Sequence, residues 1–261
     1  MRVDTLIDTH CHLDAAEFAA DRDAVYARAI AGGVAVQIIP AVSATNFAAV
    51  TATCTRYAGC LPAWGLHPIY THQPEDLVAL RAQIALRRPV AVGEIGLDLF
   101  EGHPDFAAQE HFFVAQLEIA REHDLPVILH SRRAVDVCLK HLRRIRVPGG
   151  IAHAFSGSAQ QAEAFIALGF KLGFGGAFTY PRATRLQALA RDLPLSAIVL
   201  ETDSPDIPPA WLPREARRNE PGELPRIAAL LAQLRGCENA TLVAATSVNA
   251  RAVLRLDGVF P

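Results

Sequence analysis

Residues Pro126–His130 read PVILH, and residues Ala197–Glu201 read AIVLE. Each is a short apolar run that ends in one titratable side chain. A strand with one face in water alternates polar and apolar residues, whereas a strand covered on both faces does not, and parallel strands flanked by helices are of the second kind. Both runs therefore predict buried parallel strands, the second placed at Ile198–Glu201. Similar runs occupy Thr5–Thr9, Val34–Pro40, Leu61–Gly65, Val90–Glu94, Gly150–His153 and Phe170–Phe174.

Helical patterns fill the intervals. SAQQAEAFIALG begins with Ser158 as an N-cap and has Gly169 just past its end. PDFAAQEHFFVAQLEIAREHDLP, residues 104–126, is a second helix, ended by Pro126. Eight strands alternating with helices over 261 residues predict an α/β protein, a (β/α)8 TIM barrel forming one domain over residues 1–261. A doubly wound sheet is the alternative. Extra C-terminal helices from Pro225 onward would close the barrel from outside. The stretch Asp203–Leu224, DSPDIPPAWLPREARRNEPGEL, has no apolar period, and a loop of that length is either functional or disordered.

Composition narrows the function classes. Hydrophobic residues make up 51% of the chain, enough for a sizeable core, and the net charge of −2 offers no global attraction to nucleic acid or to a membrane surface. The five cysteines (Cys11, Cys54, Cys60, Cys138 and Cys237) are odd in number and lack C-x-x-C spacing, which argues against a disulfide framework or a zinc knuckle. The first residues, MRVDTLIDTH, contain no apolar leader, and no run approaches the ~18 apolar residues of a membrane span. A cytoplasmic monomer without membrane contact is expected.

The strand ends carry the chemistry. The first ends in His10-Cys11-His12, the third in GLHP with His67, and the fourth in GEIGLD with Glu94. The fifth ends in ILHSR with His130, the sixth in IAHAF with His153, and the eighth in ETDSP with Asp203. In a parallel barrel these ends converge on one face, where the active sites of this fold lie. His10 and His12 are two apart, so in extended chain they point the same way while Cys11 points to the wall. That spacing suits two imidazoles on one ion, and the other histidines and carboxylates would supply a second. Six nitrogen and oxygen ligands without sulfur suit two divalent metal ions such as Zn, Mn or Mg. Any one of these residues alone reads equally well as a satisfied core or rim group; the agreement of six strand ends is what points to metal.

DTHCHLD, GLHP, GEIGLD, LPVILHSR, HAFSG, ETDSP and RNEP, in this order and from Asp8 to about Asn249, resemble the TatD-type metal-dependent deoxyribonucleases of the amidohydrolase superfamily. The resemblance implies a two-metal centre. His10 and His12 would hold one ion, with Asp203 also on it. His130 and His153 would hold the other, Glu94 would bridge, and His67 would sit nearby, either touching substrate or standing behind a ligand. Ala154 stands where the family often has cysteine, and Phe100 where it often has an aromatic hydroxyl. The chain has only two lysines, Lys140 in a helix and Lys171 on the seventh strand, so the carboxylated lysine that bridges metals in many related barrels has no candidate at the fourth strand end.

These residues favour attack by metal-activated water, with Asp203 either the general base or a metal ligand only. There is no G-x-S-x-G, and no serine or cysteine has an evident base outside the metal set. Arg132 and Arg133 lie just past His130, and Arg214, Arg217 and Arg218 lie in the long loop; guanidinium forks suit phosphate oxygens, although solvated surface charge is the plainer reading of each. Of the loop arginines, Arg218 in RNEP is the best candidate for substrate. Trp211 either stacks on a base or packs the loop down, and the basic stripe Lys140, Arg143, Arg144 and Arg146 reads as an outer helix face. The expected substrate is the end of a DNA or RNA strand. A C–N or ester hydrolase of a small molecule and a metal-binding protein without turnover are the alternatives.

Overall fold

The computed structural model describes residues 5–100, 105–213 and 218–257. The apolar runs become β1 (Leu6–Asp8), β2 (Val34–Pro40), β3 (Cys60–Trp64), β4 (Ala91–Asp98), β5 (Val127–Arg132), β6 (Gly150–Ala152), β7 (Phe170–Phe174) and β8 (Ile198–Leu200). All pair in parallel with their neighbours in chain order. The seam between β8 and β1 closes at its upper end: Thr9 N–H donates to Leu200 O at 3.0 Å, Asp203 N–H to His10 O at 2.8 Å and His12 N–H to Ser204 O at 2.7 Å. This is a TIM barrel, and the doubly wound alternative is excluded by the strand order.

A helix follows each strand: α1 (Arg22–Ala31), α2 (Phe47–Arg56), α3 (Pro74–Leu86), α4 (Phe106–Glu122), α5 (Val135–Arg144), α6 (Ala159–Ala167), α7 (Thr184–Asp192) and α8 (Leu224–Arg235). The Ser158 hydroxyl caps α6 by accepting from Gln161 N–H at 3.1 Å, and Gln161 returns the bond to Ser158 N–H. The long fourth helix ends at Glu122, four residues before Pro126.

Two apolar cores result. One lies between the sheet and the helix ring and holds the large aromatics, among them Trp64, Phe113, Phe165 and Phe170. The other fills the barrel with Ile7, Val36, Ile38, Ile128, Ile151 and Val199, and it includes Ala250, Leu254 and Leu256. Those last residues belong to α9 (Asn239–Leu254) and the turn after it. The expectation that the C-terminal helices close the barrel from outside holds for α8 and for Leu242 and Val243 of α9, which join the outer core; Ala250 and Leu254 of α9 belong instead to the interior core, where they meet the inward side chains of the strands.

A second difference concerns β4 and β5, which run past Glu94 and His130 to pair Leu97 with Ser131 and Asp98 with Arg132. The glycines of GEIG make this possible. A Cβ on Gly96 (φ +146°) would lie 1.9 Å from His130 O, and one on Gly65 would lie 2.5 Å from the Gly93 carbonyl carbon. Only bare backbone lets the three strands approach so closely beneath the site.

Candidate metal centre

The C-terminal ends of the strands open into a cavity of about 770 Å³ whose lining includes His12, His67, Glu94, His130, His153 and Asp203. His10 lies beneath it, fully buried. The structure thus brings together all seven strand-end groups expected from the sequence.

Glu94 is the hub. Its Oε2 faces His10 Nε2 at 3.1 Å and His12 Nε2 at 3.9 Å. Its Oε1 faces His130 Nδ1 at 3.0 Å, His67 Nε2 at 3.4 Å and His153 Nε2 at 3.9 Å. Asp203 faces the same space from β8: Oδ1 is 3.5 Å from His10 Nε2, and Oδ2 is 3.6 Å from His153 Nε2. The Nε2 atoms of His10 and His12 are only 3.3 Å apart. As expected for alternate faces, Cys11 points away, with Sγ 3.9 Å from Gln37 Oε1.

Nitrogen lone pairs and carboxylate oxygens crowded at these distances are the donor set of a divalent cation, and the absence of sulfur fits Zn, Mn or Mg. Among the described residues three overlapping groups have ligand atoms within 4.8 Å of one another: His10, His153 and Asp203; His10, His12 and Glu94; and His67, Glu94 and His130. His67 is the weakest of these. Ile69 N–H donates to its Nδ1 at 3.2 Å, so the neutral ring carries its proton on Nε2 and presents a donor to the centre.

The charges are balanced locally. Burial alone would raise the Glu94 carboxyl, but the imidazoles of His67, His10 and His130 outweigh it and hold it well below the usual range. Burial likewise opposes ionisation of Asp203, and His153, His10 and His12 overcome it. His10 is pushed down by burial and by His153. Against their own burial, His130 is raised by Asp98 and Glu94, and His153 well raised by Glu201 and Asp203.

Three acidic residues that the sequence reading passed over complete the site. Asp98 Oδ2 is 2.9 Å from His130 Nε2. Glu201 Oε1 is 3.2 Å from His153 Nδ1 and accepts from Ala154 N–H at 2.6 Å. Asp8 accepts from Thr202 N–H at 3.0 Å and from its hydroxyl at 2.6 Å, tying β1 to β8 below the ligands. Carboxylates behind metal-binding imidazoles fix ring orientation and raise basicity. Asp98 and Glu201 stand inside GEIGLD and ETDSP, two and four residues from Gly96 and Glu94 in the first case and two before Asp203 in the second, so the signal was present in the same strand ends.

The arginines divide. Arg132 lines the cavity. Arg218 does not reach it: its guanidinium donates twice to Asp21 at 2.7 Å and once to Glu17 O at 2.9 Å, which anchors the loop to the start of α1. The expectation of Arg218 at the substrate is corrected on that ground, since its fork is already engaged. Arg214 and Arg217 lie outside the described residues. Trp211 packs the loop down, with Nε1 donating to Glu223 Oε2 at 2.7 Å and Arg226 4.3 Å above its ring. Lys171 Nζ donates to Ser196 O at 2.6 Å, and Lys140 is exposed on α5 with Arg143 and Arg144, as is Arg146 just past its end.

Comparison with known proteins agrees with this geometry. The sequence model described as TatD related DNase matches residues 7–255. The chain is 46% identical over 234 residues to the uncharacterized metal-dependent hydrolase YjjV of Escherichia coli K12, covering 88% of this chain and 90% of that one. It is 36% identical over 258 residues to the 3'-5' ssDNA/RNA exonuclease TatD of Cronobacter sakazakii, covering 94% and 96%. The crystal structure of YjjV, a TatD homolog, superposes with a TM-score of 0.91 at 41% identity over 97% of this chain and 98% of that one. Matched across nearly its whole length by this family model and by these relatives, the chain belongs to the TatD-related DNase family of metal-dependent hydrolases.

Proposed function

We propose that the protein is a two-metal phosphodiesterase that removes nucleotides from the ends of single-stranded DNA or RNA. The observation that carries this reading is the division of Glu94: one carboxylate oxygen faces His10 and His12, the other faces His130 and His153. A carboxylate so placed suits a bridge between two ions, with His10, His12 and Asp203 on one side and His130 and His153 on the other. When bound, a pair of divalent cations supplies a water acidic enough to attack at neutral pH and offsets charge on the displaced oxygen.

The chain's own groups provide the rest. Asp203 is 15% exposed and reaches the cavity, so the carboxylate oxygen left free can take a proton from the attacking water. Asp98 and Glu201 hold the imidazoles of His130 and His153 in orientation. His67 carries its proton on Nε2, 3.4 Å from Glu94 Oε1 at the cavity wall, where a phosphate oxygen would compete with that carboxylate to accept it. Arg132 offers a guanidinium at the cavity wall for the same anion. A cysteine nucleophile has no support here: burial pushes the Cys138 thiol up to about 12 and that of Cys11 well above its ordinary value. The name 3'-5' ssDNA/RNA exonuclease carried by the Cronobacter relative favours strand ends over small amides.

The test is metal-reconstituted protein incubated with 3′- and 5′-labelled single-stranded oligonucleotides in Mg, Mn and Zn, with Glu94→Ala alongside. Stepwise shortening that requires metal and Glu94 is the expected result, and the label that disappears first gives the polarity. No shortening in any metal, or shortening that persists in Glu94→Ala, overturns the reading.

A further inference from the structure

The cavity rim is built differently on its two sides. On the β4–β5 side the paired strand ends carry an aromatic ring outward: Leu99 N–H donates to Arg132 O at 2.9 Å, Phe100 N–H donates to Asp98 Oδ1 at 2.9 Å, and Phe100 remains 38% exposed. The Arg132 guanidinium carbon lies 3.9 Å from the Phe100 ring centroid, and that of Arg133 lies 4.9 Å from it. Two successive residues of an extended strand point to opposite faces and could not both reach one ring. Arg133 has φ +58°, in the left-handed region that a long side chain seldom adopts, and this turn brings both guanidinium groups to Phe100. On the β1–β8 side, by contrast, the cavity wall carries the carboxylates of Asp14, Glu17 and Asp206.

Aromatic rings and guanidinium planes are the surfaces on which unpaired bases stack, and guanidinium groups also attract the phosphates between them. Arg132 connects this cluster to the metal centre, because it lines the same cavity as Glu94 and Asp203. Resting on the nuclease reading above, we propose that Phe100, Arg132 and Arg133 form a base-stacking subsite for the nucleotide next to the one removed. A single strand then leaves the centre over β4 and β5, away from the carboxylates of the opposite wall, which repel phosphate. The site takes unpaired nucleobases of any sequence, since every base has a face to stack.

The test uses metal-loaded protein and a fluorescein-labelled thymidine hexanucleotide with phosphorothioate linkages, read by fluorescence anisotropy. A second hexamer has the four internal thymines replaced by abasic sites, so its charge is unchanged. The wild type is expected to bind the base-bearing hexamer about tenfold more tightly than the abasic one, from the usual worth of a base–aromatic stack. Phe100→Ala should bring that ratio close to one, Phe100→Tyr should restore it, and Arg143→Ala on the outer face of α5 should leave it unchanged. A ratio near one in the wild type, or a ratio that survives in Phe100→Ala, overturns the subsite. Cleavage of the unmodified hexamer, run in parallel, separates the two claims. Cleavage without base preference defeats the subsite alone, whereas neither binding nor cleavage defeats the nuclease reading with it.

Discussion

Glu201→Gln is the substitution that examines the site most sharply, because it removes a charge and almost no volume. Glu201 is 1% exposed, and its Oε1 both accepts from Ala154 N–H at 2.6 Å and lies 3.2 Å from His153 Nδ1. Glutamine keeps a carbonyl oxygen for the Ala154 amide, so the loop after β6 retains its bond. It loses the negative charge that makes His153 more basic. Removing such a carboxylate typically costs 10–100-fold in metal affinity, equivalent to about 1.4–2.8 kcal/mol. Glu201→Ala adds a different loss, since the Ala154 amide is then left without its acceptor at a further cost of about 1–3 kcal/mol in stability. Titration calorimetry with Mn or Zn should therefore show weakened binding in both variants, while denaturant unfolding of the metal-free proteins should show a marked loss only in Glu201→Ala. Wild-type metal affinity in Glu201→Gln would refute the reasoning and leave Glu201 as a bond to the Ala154 backbone and nothing more.

Other expectations follow from neighbouring contacts. A Cβ on Gly173 would stand 2.2 Å from Glu201 Oε2, so Gly173→Ala should displace that carboxylate, weaken metal binding and cost about 1–3 kcal/mol of stability, measured by the same two methods. Leu254→Ala should cost about 2–5 kcal/mol in urea unfolding, because its side chain is 2% exposed against the interior core. The Asp21 carboxyl is held below its ordinary value by its hydrogen bonds from Arg218, with burial opposing. The resulting loop anchorage is present above the unfolded value of about 3.9 and lost as pH falls through the lower folded value. In Arg218→Ala the Asp21 carboxyl should titrate closer to its ordinary value by NMR, and the Asn219 and Glu220 amides should exchange faster. Burial pushes the Cys54 and Cys138 thiols up to about 12, so both should resist iodoacetamide at pH 7.5 in the folded protein and react after unfolding; rapid native alkylation of either would contradict the packing.

The strand ends were legible because their chemistry is local. An apolar run closed by histidine or a carboxylate states both that the strand is buried and that its end is polar, and a parallel barrel gathers such ends on one face. His10, His12, His67, Glu94, His130, His153 and Asp203 are accordingly legible from the strand ends alone. Asp98 and Glu201 were in the same motifs and were missed, since a sequence cannot show which of two nearby carboxylates faces the ion site and which stands behind an imidazole. That choice depends on the register of β4 with β5 and on the bare backbone of Gly173 beside Glu201.

Arg218 shows the limit from the other direction. Its place in RNEP, within the loop after the eighth strand, marks it as close to the site in chain, yet a side chain of that length reaches whatever acceptor the fold sets beside it. Here that acceptor is Asp21, 197 residues away. The same holds for α9, whose weak amphipathic pattern did not reveal that its last apolar turn meets the barrel interior. By itself the sequence determined the alternation of strands and helices, the barrel and the ligand types, because period and residue chemistry act over a few neighbours. Only the tertiary structure decided which carboxylate stands between the histidine sets, which arginine lines the cavity and which helix joins the inner core, because those are distances between residues that the chain keeps far apart.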